Sequence, residues 1–354
     1  MKKLKAIDFF CGAGGMSTGM EMAGIKILAG IDIEKEFEET YLANHKKSVF
    51  ITADVKKLTY ASLIKKAKIK KNDNSLIFIG CSPCQYWSKM NTIKTKSSES
   101  KNLLQDFQRF VNYFNPGFVV VENVPGIFNK ADESPLPNFL EFLKSRGYTV
   151  QYKTINANHF GIPQNRRRFV LIASRVSKKL EFPKPEKGKR SVVSDFIDKP
   201  KFYRIDAGHK DKSNFLHTTA GFSDKNLKRI KKIKKPGGTR LAWKNDPELQ
   251  IPAYVDMDNK FTDVYGRMWW NKPAPTITTK FHSISNGRFG HPEQNRALSL
   301  REGAALQTFP DKYIFKGSGI GSIAKQIGNA VPPKLAKKIA QSFLSKKNGK
   351  KGKK

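Results

Sequence analysis

Residues 4–15 read LKAIDFFCGAGG: a short apolar run, Leu4–Phe10, that stops in a glycine-rich turn at Cys11-Gly12-Ala13-Gly14-Gly15. A buried strand that ends in glycines and opens a helix is the start of a nucleotide-binding α/β unit. Glycine lets backbone approach a ligand closely, and the helix N-terminus favours electron-rich groups. The spacing departs from the dinucleotide pattern G-x-G-x-x-G, because Met16-Ser17 follow Gly15 where a later glycine is needed.

Outward from this stretch, short apolar runs alternate with helical patterns. Lys26–Ile33, Ser75–Gly80, Gly117–Glu122 and Phe169–Ser174 read as further strands, and Glu34–Asn44 and Leu103–Phe114 as helices. The alternation predicts an α/β domain around a mostly parallel sheet with helices on both faces. From about Arg175 the chain turns irregular and basic. Lys178–Lys189 is rich in Lys and Pro, and Leu227–Lys235 carries Lys228, Arg229, Lys231, Lys232, Lys234 and Lys235. A helical pattern returns at Pro332–Phe343, and 346–354 reads as a basic, disordered tail.

Lys and Arg number 66 against 30 Asp and Glu, a net charge of +36. So large an excess strains a compact fold by self-repulsion and points to a polyanionic partner, nucleic acid first. A coding bias towards lysine and attraction to anionic lipid are the blander readings. No apolar run approaches a bilayer span. Asp8 interrupts the only stretch that could follow a signal peptide's basic start. Three scattered cysteines fit a reducing cytoplasm.

Several constellations could carry chemistry. Asp32 ends the second strand, where a carboxylate can accept from ribose hydroxyls. Asp54, beside Val55, follows the third, where it could meet an adenine edge; either aspartate could equally be a solvated turn residue. Gly80-Cys81-Ser82-Pro83-Cys84-Gln85-Tyr86-Trp87-Ser88 ends another strand. Its C-x-x-C could be a redox pair or half a zinc site. It has no second C-x-x-C and no histidine pair in support, so no metal is expected. A single nucleophilic thiolate at Cys84 is the better reading. An inert buried thiol suits Cys11 more than Cys84.

Glu122-Asn123-Val124-Pro125-Gly126 follows the apolar Phe118-Val119-Val120-Val121, putting a carboxylate where open α/β sheets place ligands. Burial there would raise its pKa and suit it to protonate or hydrogen-bond a base nitrogen, unless it merely opens a helix. Gln164-Asn165-Arg166-Arg167-Arg168 is a basic cluster suited to phosphate or base carbonyls, or else a solvated charge run.

Taken together and in order, the glycine turn, Pro83-Cys84-Gln85, Glu122-Asn123-Val124 and Gln164-x-Arg166-x-Arg168 resemble the DNA (cytosine-5) methyltransferases. Arg296–Asp311 (RALSLREGAALQTFPD) and Gln326–Pro332 (QIGNAVP) are similar to that family's late motifs. The resemblance spans nearly the whole chain except about 175–272, and its short form is that of bacterial restriction–modification enzymes.

It implies that S-adenosylmethionine is the methyl donor and double-stranded DNA the substrate. Phe10, Gly12, Gly14 and Gly15 would line the cofactor site, with Asp32 on the ribose and Ile33 against the adenine. Asp54 would contact the adenine amino group, with Val55 beside it, and Pro83 and Asn329 would close the pocket. Cys84 would attack carbon 6 of a flipped-out cytosine, Glu122 would bind N3 and the exocyclic amine, Arg168 would grip the base carbonyl, and Arg166 would support the same pocket. Residues 1–174 with 326–354 would form a discontinuous catalytic domain, with the final helix packed on its start. Residues 175–325 would form a smaller target-recognition domain.

In that smaller domain Arg240 and Arg267 are candidates for reading guanine edges, or for touching phosphate. Thr276-Ile277 matches a dipeptide the family places near DNA. Gln85 and Ser88 would meet DNA, and the polar 88–101 stretch reads as a loop that closes on the flipped base. A monomer is expected, with a cognate endonuclease as a partner that forms no stable complex. A tRNA cytosine-5 methyltransferase and a catalytically inactive DNA-binding relative are the alternatives.

Overall fold

The computed structural model describes residues 3–82, 102–129 and 134–344. Pro83, Cys84, Gln85 and Ser88, together with the rest of the 88–101 stretch and the basic tail, lie outside the described residues.

The first half alternates strands and helices: β1 Lys5–Phe9, α1 Gly15–Met22, β2 Lys26–Asp32, α2 Glu38–Asn44, β3 Val49–Thr52, α3 Tyr60–Ala67 and β4 Leu76–Gly80. It continues with α4 Leu103–Phe114, β5 Phe118–Asn123, a single turn α5 Gly126–Asn129, α6 Leu136–Ser145, β6 Thr149–Asn156 and β7 Arg167–Ser174. The strands form one seven-stranded sheet in the order β3-β2-β1-β4-β5-β7-β6. The first five are parallel, and β7 runs antiparallel to both β5 and β6. Strand order reverses at β1, so a crevice opens between the carboxyl ends of β1 and β4, where open α/β sheets take ligands.

The sheet is buried on both faces, which is why its strands read as continuous apolar runs. Alternate residues serve two cores. Ile7 and Phe9, Val119 and Val121, and Phe169 and Leu171 face a core with α3, α4 and α6. Ala6, Val120, Val170 and Ile172 face the opposite core, which contains Met16 and Met20 of α1. That second core is completed by α11 Pro333–Gln341, through Leu335, Ala336, Ile339 and Ala340. The chain's end therefore covers its beginning.

Between β7 and α11 regular structure is sparse: α7 Ser194–Ile197, α8 Asp224–Lys232, α9 Leu300–Leu306 and α10 Ile320–Asn329, joined by long loops. Two further apolar cores hold this lobe. One runs from Val193 to Ala330, and the other gathers Ile230, Ile233, Trp243, Leu249 and Tyr265. The side chains of α10 belong to the first of these, and Val331 already belongs to the sheet. The chain crosses between lobes after Ala330, a few residues beyond 326. At the other end, Leu180 still packs on the sheet, so the lobe's core begins near Val193 rather than at 175. No helix among the described residues is long and apolar enough to cross a membrane.

Candidate active site

A cavity of about 220 Å³ lies at the crevice. A larger groove, about 630 Å³, runs along β6 and residues 180–185 but contains none of the predicted site residues. Chemistry, not size, selects the smaller one. Its wall includes Phe10, Gly12, Asp32, Ile33, Glu122, Arg166, Arg168 and Asn329, drawn from four strand ends and from the loop before α11.

At one end stands Asp32. Its Oδ2 accepts from the Gly12 amide at 2.8 Å and its Oδ1 from the Glu34 amide at 3.0 Å, so the carboxylate is fixed in place. Burial pushes its pKa up, against the pull of those two amides. Ile33 lines the cavity yet is 63% exposed, an apolar face without a packing partner. Phe10 is held at φ +61°. A non-glycine residue in this region costs about 1–3 kcal/mol and is typical of ligand sites. Lys325 of α10 closes this end by ion pairs to Glu34 at 2.9 Å and Glu36 at 3.3 Å.

The glycines divide by role. At Gly12 a Cβ would meet nothing within 4 Å, so that turn faces open space. On Gly14 a Cβ would fall 2.4 Å from the His45 ring, and on Gly15 2.4 Å from the Val331 carbonyl. Those two are required by packing of the protein on itself, and neither lines the cavity. Asp54 and Val55 depart from expectation as well. Asp54 lies just past β3 and its Oδ1 accepts from the Lys56 amide, while Val55 is buried in the core; neither lines the cavity.

At the other end stands Glu122, buried at the tip of β5. Arg168, entering β7 beside it, brings Nε to 3.0 Å from Oε1. Glu122 is therefore one half of an ion pair, not the isolated acid that burial alone suggested. The contact falls short of hydrogen-bond geometry and leaves Oε1 without a donor. Asn123 donates from Nδ2 to the Ser82 carbonyl and hydroxyl, both at 3.2 Å, tying β5 to the segment that leads into Pro83-Cys84. Burial pushes the thiols of Cys11 and Cys81 well above their ordinary range, so neither is a thiolate near neutral pH.

Arg166 lines the cavity with its guanidinium bonded to backbone carbonyls. It is buried, and its guanidinium donates to the carbonyls of Ile277 at 3.2 Å, Gly328 at 3.3 Å and Ala330 at 3.0 Å. Gln164 donates to the Leu306 carbonyl and to Gln307 at 2.6 Å, and accepts from the Ile277 amide. Gln307 in turn donates to the carbonyls of Ile327 and Ala330. This hub joins the sheet, the second lobe and the loop over the cavity. Sequence reasoning did not single out Asn123 or Gln307. A glutamine embedded in the apolar run Gly303-Ala304-Ala305-Leu306-Gln307-Thr308-Phe309 was the available signal.

The predicted DNA readers also move. Arg240 is buried, donating to the carbonyls of Lys260 at 2.9 Å, Phe261 at 3.4 Å, Tyr254 and Met257. Arg267 is buried too, on the carbonyls of Ile230, Ile233, His291 and Gln294 at 2.6–2.9 Å. Both organise loops because an arginine can satisfy several carbonyls at once, and neither presents its guanidinium for base readout. Thr276 donates to the Asn165 carbonyl at 2.6 Å and Ile277 is buried, so this dipeptide forms the joint between lobes.

Residues 4–345 match the family described as C-5 cytosine-specific DNA methylase. The Type II methylase M.HgiDII of Herpetosiphon aurantiacus is 35% identical over 349 residues, 95% of this chain and 94% of its own. The Type II methyltransferase M1.HphI of Haemophilus parahaemolyticus is 34% identical over 345 residues, 96% and 87% of the two chains. In fold the chain is similar to an E. coli prophage-encoded protein described as a DNA modification methyltransferase. That likeness has a TM-score of 0.74 at 22% identity and covers 97% of this chain and 99% of the other. It is also similar to Entamoeba histolytica methyltransferase EhMeth, with a TM-score of 0.64 at 15% identity, covering 98% and 100%. With its motifs in order on this sheet, the chain belongs to the C-5 cytosine-specific DNA methylase family and is a DNA (cytosine-5) methyltransferase.

Proposed function

We propose that the protein methylates carbon 5 of a cytosine flipped out of a short duplex DNA sequence, through a covalent adduct on Cys84. One observation carries this reading. A single cavity has a fixed carboxylate and a bare apolar face at one end, and a buried carboxylate lacking a donor at the other. The first suits a nucleoside, the second a base with hydrogen-bond donors.

The residues present fit S-adenosylmethionine. Asp32 would accept from the ribose hydroxyls, Ile33 would cover the adenine, Phe10 and the open turn at Gly12 would flank the chain, and Asn329 with Pro83 would close the pocket. When bound, S-adenosylmethionine supplies an electrophilic methyl group.

Carbon 5 of cytosine is a poor nucleophile, and the protein's part is to activate it. The Cys84 thiolate adds to carbon 6, which breaks the 5,6 double bond and pushes an electron pair into the ring. Glu122, bonded at N3 and the exocyclic amine, stabilises the charge that develops there. Arg168 holds the base carbonyl, and Arg166 keeps the surrounding loops in place. Once carbon 5 carries the methyl group, loss of its proton and expulsion of the Cys84 thiolate from carbon 6 restore the 5,6 double bond. The cytosine must leave the duplex to be reached, at a cost on the order of a few kcal/mol. Of the chain's three cysteines, Cys11 and Cys81 are held protonated by burial and suit no nucleophilic role.

The relatives named Type II methyltransferases support a place in a restriction–modification system; within it we read the protein as a monomer that forms no stable complex with a cognate endonuclease. Incubation with unmethylated DNA and S-adenosylmethionine, followed by bisulfite sequencing, tests the reading. Cytosines protected within one short motif, and unprotected with Cys84→Ala or Glu122→Gln, are expected. Protection that persists in Cys84→Ala, or methylation confined to tRNA, refutes it.

A further inference from the structure

Resting on the DNA reading above, we propose that α8 and the turn after it form a DNA-backbone anchor. In it Lys225, Lys231, Lys234 and Lys235 bind duplex phosphates beside the target base. The helix starts at Ser223, whose hydroxyl accepts from the Asn226 amide, and buries Ile230 together with Ile233. Its lysines fall into two groups. Lys228 and Lys232 are paired with Glu248 at 3.5 Å and Asp246 at 3.3 Å. Lys225, Lys231, Lys234 and Lys235 are exposed and have no acidic side chain within ion-pair distance among the described residues. Like charges this close repel one another, and a row of phosphates relieves the repulsion while releasing counterions.

A merely solvated lysine run needs no fixed mounting, and this one has it from below. The buried Arg267 donates to the carbonyls of Ile230 at 2.9 Å and Ile233 at 2.6 Å, clamping the end of the helix. Arg288 donates to the carbonyls of Gly237 at 2.8 Å and Gly238 at 3.2 Å, clamping the turn beyond Lys235. The Gly237 amide bonds the Met268 carbonyl, and the Arg267 amide bonds that of Gly238.

The same segment runs on to the active site. Ala274 exchanges backbone bonds with Pro163 and Asn165, next to Arg166 and Arg168. The chain from 268 to 274 can span at most about 20 Å, against about 34 Å for a turn of duplex. The turn after α8, tied to Met268 through Gly237, therefore lies within one turn of duplex of the joint at Ala274, so a duplex delivering its base to the cavity brings phosphates to the end of the helix that carries these lysines. The anchor supplies affinity without sequence information, which complements an interface whose two buried arginines do not read bases.

The test is the salt dependence of duplex binding for a variant with all four lysines changed to glutamine. A control carries the same loss of charge at Lys65, Lys66, Lys68 and Lys70, which are exposed around the end of α3. The slope of log K against log salt is expected to flatten by about 0.9 for each phosphate no longer neutralised, or about 3 to 4 in all. Binding should weaken by the same factor for duplexes with and without the methylated sequence, and the control should keep the wild-type slope. An unchanged slope in the α8 variant, or an equal flattening in the control, overturns the anchor while wild-type methylation leaves the DNA reading intact. A wild type that binds no duplex overturns both. Thermal midpoints of both variants are measured alongside; a variant that unfolds is replaced by pairwise substitutions read on the same slope.

Discussion

Arg166→Lys separates two roles that the sequence could not distinguish, a grip on the substrate base and a support for the loops around it. In the structure the guanidinium serves three carbonyls, that of Ile277 and those of Gly328 and Ala330 at the end of α10. A lysine ammonium is a compact point charge on a flexible stem and cannot span that arrangement. The Ala330 carbonyl keeps Gln307 as a donor, so a lysine that serves either the Ile277 or the Gly328 carbonyl leaves the other buried without one. That costs about 1–3 kcal/mol. Part of this falls on global stability and part on the end of α10 and residues 330–331, which wall the cavity. Even about 1.4 kcal/mol placed there weakens cofactor binding about tenfold. Calorimetric titration with S-adenosylhomocysteine, together with thermal unfolding, measures both parts. A lower midpoint and a Kd raised at least tenfold are expected. Wild-type cofactor affinity and midpoint, with only kcat reduced, would refute the support role and return Arg166 to the substrate base.

Further outcomes follow from other sites. Gly12→Ala is expected to fold, with a cost of about 1 kcal/mol from its positive φ, and to lose cofactor affinity; Gly15→Ala, driven into the Val331 carbonyl, should lose stability first. Melting and ligand titration of the pair check this, and identical profiles would contradict it. Arg267→Lys should destabilise the protein by about 1–3 kcal/mol, since a lysine that serves one of the Ile233 and His291 carbonyls leaves the other buried without a donor. Any folded fraction should keep the wild-type target sequence, whereas relaxed readout at one base on sequencing would restore the recognition role. Stability should also fall in acid. Burial pushes His291 down to about 3, and Arg296 overrides burial to hold Glu302 at about 2. Both folded values lie below the unfolded ones, so their contribution is full above about pH 6.5 and is lost as pH falls, first through His291 and below about 4.5 through Glu302 as well. Asp8, pushed up to about 7 by burial, acts in the opposite sense, stabilising more as pH falls from 7. The two opposed contributions largely offset each other between about pH 6.5 and 4.5, so Asp8→Asn should turn a nearly level midpoint into a declining one, and a level midpoint in Asp8→Asn from pH 7 to 4 would count against the whole assignment.

The parallel core is legible in the sequence alone, because strands buried on both faces must be apolar throughout, as Phe118-Val119-Val120-Val121 is. So are the loops that carry chemistry, since Gly12, Asp32 and Glu122 sit directly after such strands and polar or glycine residues there have few other reasons to occur. The strand Thr149–Asn156 escaped notice, since it lies at the sheet's edge and its polar residues blur the alternation. What the arginines do emerges only in the folded molecule. Arg166, Arg240 and Arg267 look alike to Arg168 in a sequence, as charged groups meant for solvent or phosphate. Whether a guanidinium faces a substrate or a set of carbonyls depends on which distant loops fold around it. Ile277 and Gly328 reach Arg166 from residues more than a hundred positions away, and no local pattern encodes that meeting.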